Sequence, residues 1–85
     1  MAKREAISRI NHILNKLRIY PASFEEISEY LKGQIEITGE DLNISQRTFQ
    51  RDIQIIYSSY GIEIKFNKLE LNKYYITRVN IQLLN

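Results

Sequence analysis

The stretch ISQRTFQRDI, residues 44 to 53, brings together two arginines, two glutamines, a serine, a threonine and one aspartate while its apolar members keep helical spacing. What these side chains share is directional hydrogen bonding. A guanidinium presents a rigid fork of donors, a carboxamide one donor group and one acceptor, and a hydroxyl can serve as either. Nothing nearby turns that set toward covalent chemistry. Ser8, Ser28 and Ser58 have no base arranged to activate them, there is no cysteine, and His12 is the one histidine in the chain. Nucleophilic catalysis, a cofactor and a metal site are therefore not expected, and neither is an enzyme.

The helical spacing decides where the polar set points. Phe49, Ile53, Ile56 and Tyr60 fall at i, i+4, i+7 and i+11, and Ser45 stands where a capping hydroxyl belongs, so a helix is expected over 46–59. With Phe49 at zero and about 100° per residue, Gln50 falls at about 100°, Gln54 at about 140°, Arg47 at about 160°, Ser58 at about 180° and Arg51 at about 200°. Those residues face away from the core. Asp52 falls at about −60°, beside the apolar stripe, where it suits a structural partner for an arginine or a helix-end amide. Turned outward it would repel an anion.

This helix needs elements to carry it. Ala6, Ile10, Ile13, Leu14 and Leu17 form the stripe of a first helix, about residues 3 to 18, which stops before Pro21. Ser23 and Glu26 have capping-box spacing, and Phe24, Ile27, Leu31 and Ile35 continue as a second helix. Past Lys32 two patterns compete, because GQIEIT reads either as more helix or as an alternating strand over 35–37; Gly39 is a stop in both. After Gly61 the period becomes two. Ile62, Ile64 and Phe66, then Tyr74 and Ile76, alternate with polar neighbours, and NKLELNK joins them into a hairpin that Leu69 and Leu71 could lengthen. Tyr57, Tyr60, Tyr74 and Tyr75 are expected to pack in the core or against the hairpin.

The size fits one domain. Eighty-five residues bury only about 60 to 65% of their unfolded surface, which leaves no room for a deep cleft. Residues 1–80 are expected to form the domain and 81–85 a tail that begins a helix or a linker. No signal peptide or membrane span is visible, and the absence of cysteine fits a reducing compartment, so the expected location is the cytoplasm. Net charge is +2 but unevenly spread: residues 25–41 carry six carboxylates against Lys32, a net of −5, while the remainder carries eleven basic residues against four acidic ones, a net of +7.

The expected fold class is thus α+β, three helices followed by a two-stranded hairpin, the order of a winged helix-turn-helix. In that arrangement the third helix enters the DNA major groove and the hairpin contacts the flank. The outward residues are suited to such contacts, since arginine pairs with guanine, glutamine with adenine, and hydroxyls reach phosphates.

ISQRTFQRDIQII, followed after YSSY by GIEIKFNKLELNKYYI, resembles the N-terminal DNA-binding domain of bacterial DeoR-like and WYL-domain transcriptional regulators. The likeness runs from SRINHIL to YYITRV, and SxRTFxRDI is its most specific part. It implies sequence-specific binding of double-stranded DNA, with Ser45, Gln46, Arg47, Thr48, Gln50 and Arg51 on the recognition helix in contact with it. Full-length members add a C-terminal domain thought to sense ligands, so an effector is not expected in this portion. The family joins its second and third helices by a few residues, whereas here residues 32–44 intervene. The second helix is therefore either longer or followed by an insertion.

Gln54 joins the DNA-facing set from the helical wheel. Lys68 is the best placed wing lysine; Lys65 and Lys73 could hold phosphates or discourage edge-to-edge strand pairing. Lys3, Arg4 and Arg9 are backbone contacts or plain surface charge. The rival expectation is a winged-helix interaction module, motivated by the acidic 25–41 segment and the apolar tail residues Ile81, Leu83 and Leu84, which would bind a protein or form a homodimer.

Overall fold

Ile10, Ile13, Leu14 and Leu17 wind onto one side of α1 (Arg4–Ile19), and all four are buried. The computed structural model describes residues 4–69 and 71–79; the expectations placed on Lys3, on the Arg4 side chain and on the tail 81–85 lie outside what it describes. Pro21 ends the helical run and Ser23 starts the next. The Ser23 hydroxyl accepts from the Glu26 amide at 3.1 Å while the Glu26 carboxylate accepts from the Ser23 amide at 2.9 Å, the reciprocal box that opens α2 (Phe24–Thr38).

The 34–38 stretch is helix, not strand. α2 runs on to Gly39, whose φ of 74° places it in the left-handed region where the missing Cβ removes the strain. The residues between the second and third helices are thus taken up partly by a longer α2 and partly by the connection 39–45. That connection is pinned. Leu42 is fully buried in the core, Ile44 packs against it, and the Ser8 hydroxyl of α1 donates to the Glu40 carboxylate at 2.8 Å.

Ser45 then caps α3 (Gln46–Ile55), which continues into a widened π turn, Ile56–Tyr60, closed by Gly61 at φ 70°. The helical segment therefore ends one residue past the expected 46–59. Tyr57 departs from the expectation of a packed residue: it is 61% exposed, since it lies about 80° from Phe49 on the wheel, off the apolar stripe.

β1 (Ile62–Asn67) and β2 (Lys73–Val79) pair antiparallel, with Phe66 opposite Tyr74 and Ile64 opposite Ile76, and with a bulge beside Glu63. Leu69 and Leu71 lengthen neither strand. They sit on the connecting turn, 95% and 80% exposed, where Asn67 Oδ1 accepts from the Leu69 amide and Leu71 and Asn72 both take positive φ. On its other side Tyr74 bonds to Ala22, amide to carbonyl in both directions at 3.0 and 2.7 Å, so the α1–α2 connection acts as a short third rung beside β2.

The elements meet over one core. Ile13, Ile27, Leu31, Leu42, Phe49 and Ile56 are fully buried at its centre, each stabilising the fold by about 1.5–3 kcal/mol relative to exposure. An aromatic chain runs from Phe24 to Phe49 to Tyr74 to Phe66, with centroids 5.5, 4.8 and 4.7 Å apart, and locks α2, α3 and the hairpin together. The result is the layout of a winged helix. Among the described residues no helix is long and apolar enough to cross a membrane.

Candidate nucleic-acid interface

α3 begins where Ser45, in extended backbone, accepts from the Thr48 amide at 3.2 Å and donates its own proton to Thr48 Oγ1 at 3.1 Å. The first turn of any helix leaves amides without intrahelical acceptors, and the cap satisfies one of them. The amides of Gln46 and Arg47 remain at the open end, the partly positive end of the helix dipole.

Seven of the eight residues expected at the interface are exposed: Ser45, Gln46, Arg47, Gln50, Arg51 and Gln54 on and before α3, and Lys68 on the hairpin turn. Thr48 is half-buried, its hydroxyl engaged by Ser45. Ridge and core separate as the periodicity requires, with Phe49 fully buried on the opposite side of the same helix.

Asp52, the one carboxylate in α3, is turned inward and is 1% exposed. Arg9 of α1 holds it through two parallel bonds, Nε to Oδ2 at 2.6 Å and Nη2 to Oδ1 at 2.9 Å. The hydrogen bond to Asp52 outweighs the opposing effect of burial and raises the Arg9 pKa above its ordinary value. Arg9 is thereby corrected: it is neither plain surface charge nor a backbone contact, because its guanidinium is committed inside the fold. The consequence for the surface is electrostatic. With Asp52 withdrawn and neutralised, α3 shows Arg47 and Arg51 outward with no anion beside them on the same helix.

Among the described residues one side-chain hydrogen bond joins the hairpin to this face. Gln50 Nε2 donates to the Tyr74 hydroxyl at 3.0 Å, joining the outer side of α3 to the start of β2. Lys73, one of the wing lysines, bonds Glu26 of α2 at 3.2 Å and ties the base of the hairpin to the capping box. The Glu26 carboxyl is held below its ordinary pKa, by the Ser23 amide first and the Lys73 ammonium second. Lys65 and Lys68 stay exposed, so the wing presents its positive charge along β1 and at the turn. Glu25, Glu29 and Glu36 are exposed on α2, which makes that helix an acidic surface distinct from α3.

Two participants have partners that spacing does not assign. Alternation marks Tyr74 for packing, and it does pack, but its hydroxyl also reaches Gln50. Arg9 carries a usable signal, since it lies one turn before the fully buried Ile13 and therefore on the core side of α1. No protein-family model, curated protein or solved structure matches the chain.

Proposed function

We propose that this chain is the sequence-specific DNA-binding domain of a bacterial transcriptional regulator acting in the cytoplasm, with α3 in the major groove of double-stranded DNA and the hairpin along the flanking backbone. The observation that carries this is the inward Asp52, paired with Arg9, which leaves the outer side of α3 with two arginines and three glutamines and no carboxylate. Arg47 and Gln50 supply base reading. Arg51, Lys68, Ser45, Thr48 and the Gln46 amide hold phosphates, and Gln54 extends the row. The likeness of residues 44–56 and 61–76 to DeoR-like and WYL-domain regulators supports the same assignment.

The test is titration with random-sequence duplex DNA across a salt series. Phosphate neutralisation releases counterions, so log K falls linearly with log salt, with a slope of about −0.9 per phosphate contacted. A flat dependence, or no binding at low salt, removes the proposal.

A second reading has its own observation: Leu69 and Leu71 stand out at the hairpin turn, 95% and 80% exposed, and α2 shows an acidic surface. Those features suit a module that binds a protein or a second copy of itself. Light scattering at high concentration tests the second-copy form, which a monomer would exclude.

A further inference from the structure

We propose that Tyr74 is a positioning residue that couples a backbone contact to base reading: its hydroxyl donates to a DNA phosphate, accepts from Gln50 Nε2, and so fixes the Gln50 carboxamide to read adenine. This rests on the DNA-binding function proposed above and adds to it a base identity and a residue outside α3.

The geometry begins with how firmly Tyr74 is held. Its ring stands edge-on to the buried Phe49 at 4.8 Å and lies against Phe66 at 4.7 Å, while its backbone pairs with Phe66 on one side and Ala22 on the other. The hydroxyl is thereby placed at the outer edge of α3 by a side chain that cannot swing away. Gln50 is exposed and would otherwise sample several rotamers; the 3.0 Å bond from its Nε2 to Tyr74 selects one.

Proton counting then gives the specificity. A phenol has one proton to donate, and its oxygen can accept. Among the described residues that proton has no acceptor, whereas the oxygen already takes a bond from Gln50. A phosphate oxygen only accepts. When Tyr74 donates to phosphate, its oxygen faces Gln50 purely as an acceptor, so the amide must keep its nitrogen toward Tyr74. Gln50 is left with Oε1 and one remaining N–H, the acceptor and donor pair complementary to N6 and N7 of adenine. Without the phosphate contact the hydroxyl could instead donate to Oε1. The amide would then turn over and show two donors, the pattern suited to the two acceptors of guanine.

Tyr74→Phe keeps the ring and removes the hydroxyl. Selection of bound duplexes from a random pool, followed by affinity measurement on the preferred duplex and on duplexes changed at single positions, separates the possibilities. The expected result is loss of a roughly tenfold adenine preference at one position. Affinity for random duplex should fall by about tenfold, as one hydrogen bond to phosphate is lost on every sequence, and the salt slope should be unchanged, because a neutral hydroxyl displaces no counterion. Gln50→Ala should abolish the same preference at the same position, and Tyr74→Phe in that background should change it no further. Gln50 is exposed, so its variant reports on the pair even if Tyr74→Phe fails to fold. An adenine preference that survives Tyr74→Phe, or losses from the two variants at different positions, overturns the coupling while duplex binding by the wild type stands. Absence of wild-type duplex binding overturns both.

Discussion

Arg9 in α1 and Asp52 in α3, 43 positions apart, form a buried two-point ion pair in which the carboxylate is 1% exposed and the guanidinium side chain 14%. One interaction thus does two things. It fixes the angle at which α3 leaves the core, and it removes the helix's single negative charge from the outer surface.

Breaking the pair from one side strands a charge. Asp52→Ala should destabilise the fold by about 3–5 kcal/mol, since the Arg9 guanidinium loses its partner inside the protein. Replacing both ends with apolar side chains, Arg9→Met with Asp52→Leu, should recover most of that loss. Urea denaturation measures both, and a double variant as unstable as the single one would contradict the assignment.

Two glycines should respond in opposite directions to the same change. Gly33 is exposed in the body of α2 with open space around its Cβ position, so Gly33→Ala should stabilise by about 0.8–1 kcal/mol through helix propensity. Gly39 also has open space but sits at φ 74°, so Gly39→Ala should cost about 1 kcal/mol from backbone strain alone. Thermal unfolding of the two variants checks the contrast; equal signs would show that α2 does not end at Gly39.

Glu26 makes a pH prediction. Its pKa is lowered from 4.5 in the folded chain, so its stabilising contribution is fully present above that value and is lost as pH falls through the folded pKa. Glu26→Gln keeps an oxygen for the Ser23 amide but gives up the charge facing Lys73. Between about pH 6 and about pH 2 the wild type should lose more stability than Glu26→Gln, with the two curves converging at the acid end. Because Glu26 is exposed the difference should be small and should shrink in salt. Identical curves would remove the link between hairpin base and capping box.

Arg47 and Lys68 should behave differently toward DNA. Arg47→Ala should cost about 1–3 kcal/mol on the preferred duplex and relax preference at one base position. Lys68→Ala should weaken all sequences alike and reduce the salt slope by about one. Equal loss on every sequence for Arg47→Ala would place that side chain on phosphate instead.

Periodicity makes much of this legible. The stripe through Phe49, Ile53 and Ile56 sets the outward row, and the change to period two after Gly61 sets the hairpin. What spacing does not show is contact across long separations. Leu42 and Ile44 are the two large apolar residues of GEDLNIS, too few to set a period, yet Leu42 is fully buried because the 39–45 connection folds over α1. Wheel angle alone puts Asp52 beside the core, but its partner comes from another helix. The Tyr74 hydroxyl is a similar case, since alternation gives the side of the strand a ring occupies and says nothing of which side chain its oxygen meets. The choice between helix and strand over 35–37 rests on two residues of alternation; continuous backbone bonding from the capped start of α2 decides it.

The most direct test of the central claim is amide chemical-shift mapping by NMR as duplex DNA is added to the chain. The shifts should concentrate at residues 45–54 and at Lys68, with the acidic outer side of α2, around Glu25, Glu29 and Glu36, unaffected. Changes centred on α2, or none along α3 at saturating DNA, would contradict it.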